Sequence, residues 1–184
     1  MRRASASTGK ADPTKACTNC HRVMENVSET RNFAKKTELE TCFQCHELRR
    51  AQLQRSSHMP VREGKLTCTS CHNPHGSQGP KQLKQDTINE TCFSCHPERR
   101  GPFVWEHPVV SENCGTCHEP HGSTNPFLLK VRPPRLCQQC HNFTFHPSQP
   151  FNSNDARRVL GRGCTQCHTN IHGSNHPSGN RFVR

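Results

Sequence analysis

The decapeptide CTSCHNPHGS at residues 68–77 returns as CGTCHEPHGS at 114–123, and a looser copy, CTQCHTNIHGS, fills 164–174. In each, a histidine follows a Cys-x-x-Cys pair, and a second histidine stands three or four residues further on. Outward from these copies, all 14 cysteines of the 184-residue chain fall in such pairs, which begin at Cys17, Cys42, Cys68, Cys92, Cys114, Cys137 and Cys164 and end at Cys20, Cys45, Cys71, Cys95, Cys117, Cys140 and Cys167. The residue after every second cysteine is a histidine: His21, His46, His72, His96, His118, His141 and His168. With 14 histidines in the chain, seven such coincidences have a chance probability of roughly 10⁻⁸, so the unit to interpret is Cys-x-x-Cys-His.

The rest of the composition makes that unit more pointed. Leu, Ile, Val and Phe supply 29 residues, roughly 16% of the chain, a range in which a strongly charged polypeptide is expected to stay disordered. Something other than side chains must therefore supply the core.

On a helical turn, residues at i, i+3 and i+4 share a face, so two sulfurs and one imidazole can point at a single object. Haem c fits: its two vinyl groups take thioether bonds and its iron takes the imidazole as an axial ligand. Structural zinc is the first alternative, because gaps of 18 to 23 residues between successive pairs overlap zinc-ribbon spacing. Seven pairs cannot be shared two per metal, however, and zinc gives no reason for the following histidine. A disulfide framework, suggested by the high cysteine content, leaves the histidines equally unexplained. Seven haems would place one large apolar ring in every 26 residues or so, which supplies the core that the side chains do not. The segment TELETCFQCHELRRAQLQ, 37–54, reads as a helix carrying one motif, with Thr37 as N-cap and Glu38 and Glu40 in the first turn.

Haem also recasts the charge. The formal balance of +11 would otherwise suggest nucleic acid or an anionic surface. Seven bis-histidine haems with ionised propionates would add roughly −7 to −14, so most Lys and Arg read as propionate partners and solvated surface, and no nucleic-acid partner is expected.

Seven histidines lie outside the motifs: His58, His75, His107, His121, His146, His172 and His176. The match of seven spares to seven irons predicts that they are sixth ligands in low-spin haems. Their positions recur with a period of about 45 to 50 residues, which predicts two-haem repeats at about 42–77, 92–123 and 137–174 within a single domain spanning 17–184, after a flexible segment at 1–16. The fold class expected is a haem-organised extended chain of loops and short α-helices with essentially no β-sheet. A histidine three residues after a proximal one stays on the proximal side of its own ring, so His75 and His121 are expected to serve neighbouring haems. The Asn73-Pro74 and Glu119-Pro120 steps and the glycines Gly76 and Gly122 suit such a crowded junction. No spare histidine lies between His21 and the second motif, so its sixth ligand comes from a distant part of the chain or from another subunit. Trp105, Phe43 and Phe93 read as haem-packing groups.

The alternation of motifs with CHxPHGS, and the ending IHGSNHPSGNRF at 171–182, resemble the Mtr-type periplasmic decahaem component of outer-membrane electron conduits and its relatives in dimethyl-sulfoxide respiration. The resemblance covers most of the chain from about Cys17. It implies a line of bis-histidine haems, with His58, His107 and the CHxPHGS histidines distal. It also implies redox partner proteins, among them an outer-membrane β-barrel and an extracellular cytochrome. This chain has seven motifs where that family has ten, which reads as an N-terminally shorter version. Every motif ends in histidine and the chain has no tyrosine, so the lysine-ended haem of nitrite-reducing relatives and the tyrosine cross-link of hydroxylamine-oxidising ones are both absent. An electron carrier is expected rather than an enzyme. The alternative is a filament in which a terminal histidine, His172 or His176, completes the first haem of the next subunit. Covalent haem attachment of this type requires export, to the periplasm, the outer membrane or beyond. The opening MRRASASTGKADPTKAC has no apolar run and reads as neither signal peptide nor anchor, and no transmembrane helix is expected anywhere.

Overall fold

Seven identical turns organise the chain. In each motif the histidine main-chain N–H donates to the carbonyl of the first cysteine, four residues back: His21 to Cys17 (2.9 Å), His46 to Cys42 (3.0 Å), His72 to Cys68 (2.9 Å), His96 to Cys92 (2.9 Å), His118 to Cys114 (3.1 Å), His141 to Cys137 (2.9 Å) and His168 to Cys164 (2.8 Å). One α-type turn thus turns both sulfurs and the imidazole toward one side. The computed structural model describes residues 17–22, 33, 35, 37–141, 164–177 and 179. The segment 1–16 and the spare His146 lie outside the described residues.

Between the turns the helices are short: α1 (Glu38–Phe43), α2 (Glu47–Leu53), α3 (Cys68–Cys71), α4 (Ile88–Phe93), α5 (Pro108–Glu112) and α6 (Arg135–Gln138), joined by loops and single 3₁₀ turns. Among the described residues there is no β-strand, and the extended segments meet only in isolated bridges. A chain this poor in apolar residues has no stripe with which to stabilise a long helix, so local caps set the lengths. The hydroxyls of Thr37 and Thr87 cap α1 and α4 by accepting from the main chain of Glu40 (3.1 Å) and Glu90 (3.0 Å). The single helix expected over 37–54 is two. The chain leaves helical geometry at His46 (φ −99°, ψ 52°) and restarts at Glu47, because the motif turn closes on Cys42 and its histidine projects out of the helical path.

Polar side chains tie the two motifs of a repeat together. The Glu38 carboxylate on α1 accepts from the N–H (2.7 Å) and hydroxyl (3.0 Å) of Thr69 on α3. In the next repeat Asn89 on α4 does the equivalent work: its Oδ1 accepts from Cys114 N–H (2.7 Å) and its Nδ2 donates to the Val110 and Ser111 carbonyls (3.0 Å each). Successive repeats are tied through the His-Gly-Ser loops. Ser123 exchanges main-chain bonds with Ser57 (2.7 and 3.1 Å), and Ser174 with Trp105 (3.0 Å each). Gly122, at φ +149°, sits so close to the end of α2 that a Cβ there would overlap the Gln52 carbonyl oxygen. At Gly76 a Cβ would meet nothing within 4 Å, so the glycine is required there for its φ of +116° alone.

Leu53, 4% exposed, is the only buried hydrophobic residue among those described. One leucine contributes about 2 kcal/mol, whereas ordering a chain of this size costs on the order of 100 kcal/mol. The described residues therefore form a backbone-bonded cage with polar joints (Thr41, Gln52, Asn89, Ser123 and Ser174 are its buried polar residues), suited to wrapping apolar groups that the polypeptide does not itself provide.

Candidate haem sites

Four pairs of imidazoles face each other across gaps of one size. The ring centres of His21 and His75 are 5.9 Å apart, those of His72 and His121 6.0 Å, those of His107 and His141 6.2 Å and those of His118 and His172 6.2 Å, with interplanar angles of 13° to 35°. Each pair joins one motif histidine to one spare. A metal midway between two imidazoles, with bonds of about 2 Å and about 1.1 Å more from each nitrogen to its ring centre, calls for about 6 Å. The spacing thus fits an iron held by two axial histidines, the closed geometry of an electron-transfer haem. His75 faces the motif two before its own, His121 likewise, and His172 faces the motif two before the one it follows. His107, in contrast, faces the motif two ahead of the one it follows.

The second ring nitrogen of three of these histidines, and of the spare His58, is anchored to a main-chain carbonyl. His72 Nδ1–H donates to the Lys81 carbonyl (3.1 Å), His118 to Phe127 (2.8 Å), His107 to Ile171 (3.1 Å) and His58 to Arg55 (2.7 Å). A carbonyl can only accept, so in His72, His118 and His107 these bonds fix the tautomer and leave Nε2 with its lone pair for a metal, whereas both ring nitrogens of His58 face acceptors. At His58, Nε2 faces the Glu63 carboxylate at 3.0 Å, which with the Arg55 carbonyl pushes this imidazole's pKa up. Burial, followed by the nearby Arg49, pushes the pKa of His121 down, and burial followed by Arg99 does the same for His172. Both favour the neutral, metal-binding form.

The carbonyls that orient His72 and His118 come from strained backbone. Lys81 and Gln82, at φ 54° and 58°, and Phe127 and Leu128, both at φ 58°, lie in the left-handed region although none is glycine. Such residues cost of order 1 kcal/mol or more each and persist where surrounding structure over-determines them. Here they turn a loop back onto the motif, with the Lys84 and Lys130 N–H groups bonded to the Cys71 and Cys117 carbonyls (2.9 Å each). The repeat is longer than the heptapeptide: PKQLK at 80–84 matches PFLLK at 126–130. That match, nine residues past each proximal histidine, is the signal by which the orienting loops could have been found from sequence.

None of the fourteen cysteines is paired in a disulfide, and those of successive motifs influence one another in chain order. Cys42 donates a hydrogen bond to Cys68, which pushes the Cys42 pKa up and the Cys68 pKa down. Burial and then the partner thiol push up Cys20 beside Cys42, Cys71 beside Cys95, Cys92 beside Cys114 (to about 12), Cys117 beside Cys140 and Cys137 beside Cys164. Every motif thus adjoins the next through a cysteine. Among the described residues no three or more of His, Cys, Asp and Glu gather as a direct metal site, whereas a porphyrin needs only the two axial imidazoles. A cavity of about 950 Å³ is lined by Arg22, just past the first motif, and by Lys35, Leu39, Phe43, Arg50 and Arg62. Four cations around apolar side chains suit a flat apolar ring that carries two carboxylates. The residues present fit haem c.

A family model described as a doubled CXXCH motif matches residues 58–101 and 107–144. The multiheme cytochrome MtrA of Shewanella baltica (strain OS185) is 46% identical over 177 residues, which is 92% of this chain and 53% of that protein. Both matches support a multihaem c-type cytochrome of the Mtr type. The chain spans about half the length of the relative it matches. Among the described residues the fold is a few short helices without a sheet. No helix among the described residues of the cytochrome is long and apolar enough to cross a membrane.

Proposed function

We propose that the cytochrome is an electron carrier holding seven haem c groups, one per motif, each between two histidines, in a line that follows the order of the chain. The observation that carries this is the four facing imidazole pairs, each joining a motif histidine to a spare one at 5.9 to 6.2 Å, while the sulfurs of successive motifs lie near enough to influence one another, from Cys20 and Cys42 to Cys137 and Cys164. Thioether bonds at those sulfurs would bring the edges of successive rings together with no gap in the series. When bound, haem c supplies a one-electron Fe(III)/Fe(II) couple. The polypeptide holds the axial imidazoles, fixes their tautomers and closes both axial positions to substrate.

Distal ligands follow from the ring pairs: His75 for the first haem, His121 for the third, His172 for the fifth and His107 for the sixth. The repeat relates His58 to His107 and His96 to His141, which assigns His58 to the fourth haem once its Nε2 leaves Glu63. His46 and His168 are then left with His146 and His176. Because His75 of the same chain stands beside His21, the first haem needs no histidine from a second subunit, and the filament reading loses the feature that motivated it. The motif resemblance supports an exported protein, in the periplasm or at the outer membrane, exchanging electrons with redox partner proteins and through a β-barrel with an extracellular cytochrome. Iron and haem analysis with EPR of the purified protein tests the reading: seven low-spin haems per chain support it, and a five-coordinate haem in the resting protein contradicts the carrier role.

A further inference from the structure

CHNPHGS and CHEPHGS differ at one residue, Asn73 against Glu119, and the structure gives that difference a consequence. Asn73 Oδ1 accepts the main-chain N–H of His75 at 3.2 Å. Glu119 Oε1 instead lies 3.3 Å from Nδ1 of the His121 ring. The carboxylate is 27% exposed, and Arg49 on α2, 40% exposed, stands 3.9 Å from it and acts on the His121 ring in the opposite sense, so what Glu119 adds is the charge-assisted hydrogen bond at Nδ1. The opposite ligand, His72, faces the neutral Lys81 carbonyl.

Resting on the axial pairs above, we propose that Glu119 sets the reduction potential of the haem between His72 and His121 and holds it low. A carboxylate accepting from Nδ1–H raises the electron donation of the imidazole at Nε2 and adds a negative charge near the iron. Both effects stabilise the ferric form. In the matching repeat the amide of Asn73 engages the backbone and supplies no such charge to His75.

The test is a potentiometric titration of the fully loaded protein, followed optically and by EPR, with Glu119→Gln compared to wild type. This substitution keeps the side chain's size and a hydrogen-bond acceptor but removes the charge. One midpoint is expected to move positive, changing the ferric-to-ferrous ratio of that haem about tenfold at fixed potential, ~59 mV for a one-electron couple, while all irons stay low-spin. His121→Met, whose thioether raises the potential of the same haem, identifies that midpoint. Should the Glu119→Gln protein fail to take up its full haem complement, Asn73→Glu carries the test, with the midpoint of the His21 and His75 haem expected to move negative. Unchanged midpoints in low-spin, fully loaded variants overturn the assignment. Failure of the ligand pairing itself shows separately, as two perturbed haems rather than one in the EPR spectrum of the His72→Ala, His121→Ala double variant.

Discussion

His72 and His121 face each other with ring centres 6.0 Å apart and planes 13° from parallel, although 49 positions separate them in sequence. His121 is only three residues from His118, yet His118 stacks with His172 (6.2 Å). The short loop between the two histidines therefore straddles two ring pairs, and each CHxPHGS segment sets its second histidine against the motif histidine two motifs before its own.

Replacing His121 with alanine is expected to leave every haem covalently attached and to turn one iron high-spin, the one on His72. A double-variant comparison locates it. His72→Ala with His121→Ala removes both axial ligands of one iron and should show a single perturbed haem in EPR. His118→Ala with His121→Ala should show two. Two perturbed haems in the first double variant would contradict the pairing.

Gly122→Ala is expected to destabilise the loaded protein by about 3 kcal/mol or more, because it adds a backbone clash with Gln52 to an unfavourable φ. Gly76→Ala has open space and should lose only the conformational part, about 1 kcal/mol. Thermal unfolding followed at the haem absorption band ranks the two, and equal losses would contradict the docking of the His-Gly-Ser loop on α2.

Asn89→Ala removes three hydrogen bonds that join α4 to the following motif and leaves main-chain groups of Val110, Ser111 and Cys114 unpaired. A loss of about 2 to 4 kcal/mol is expected. Thr87→Ala, which removes only the cap of the same helix, should cost about 1 kcal/mol. Chemical denaturation of the two variants measures the difference.

The haem-c motif, the lack of a sheet among the described residues and the Mtr-type resemblance were legible because covalent haem attachment imposes a strict local spacing, repeated here seven times. The N-cap at Thr37 was legible for the same local reason. The break at His46 was not, since helix propensity runs unbroken through ELETCFQCHELRR while the motif turn overrides it. Reach along the chain pointed His75 and His121 away from their own motifs, but did not show against which motif histidine each ring is set. That choice is made by nonlocal docking, of Ser123 on Ser57 and of Ser174 on Trp105, which leaves no periodic trace. Glu119 went unnoticed as a functional group because one letter in an otherwise matching heptapeptide looks like drift until its Oε1 is seen beside the His121 ring.

Intact mass together with low-temperature EPR of the purified protein tests the central claim most directly. One chain carrying seven haems, every ferric iron low-spin with two imidazole ligands, is the predicted result. Fewer haems than motifs, or high-spin iron in the untreated protein, would contradict it.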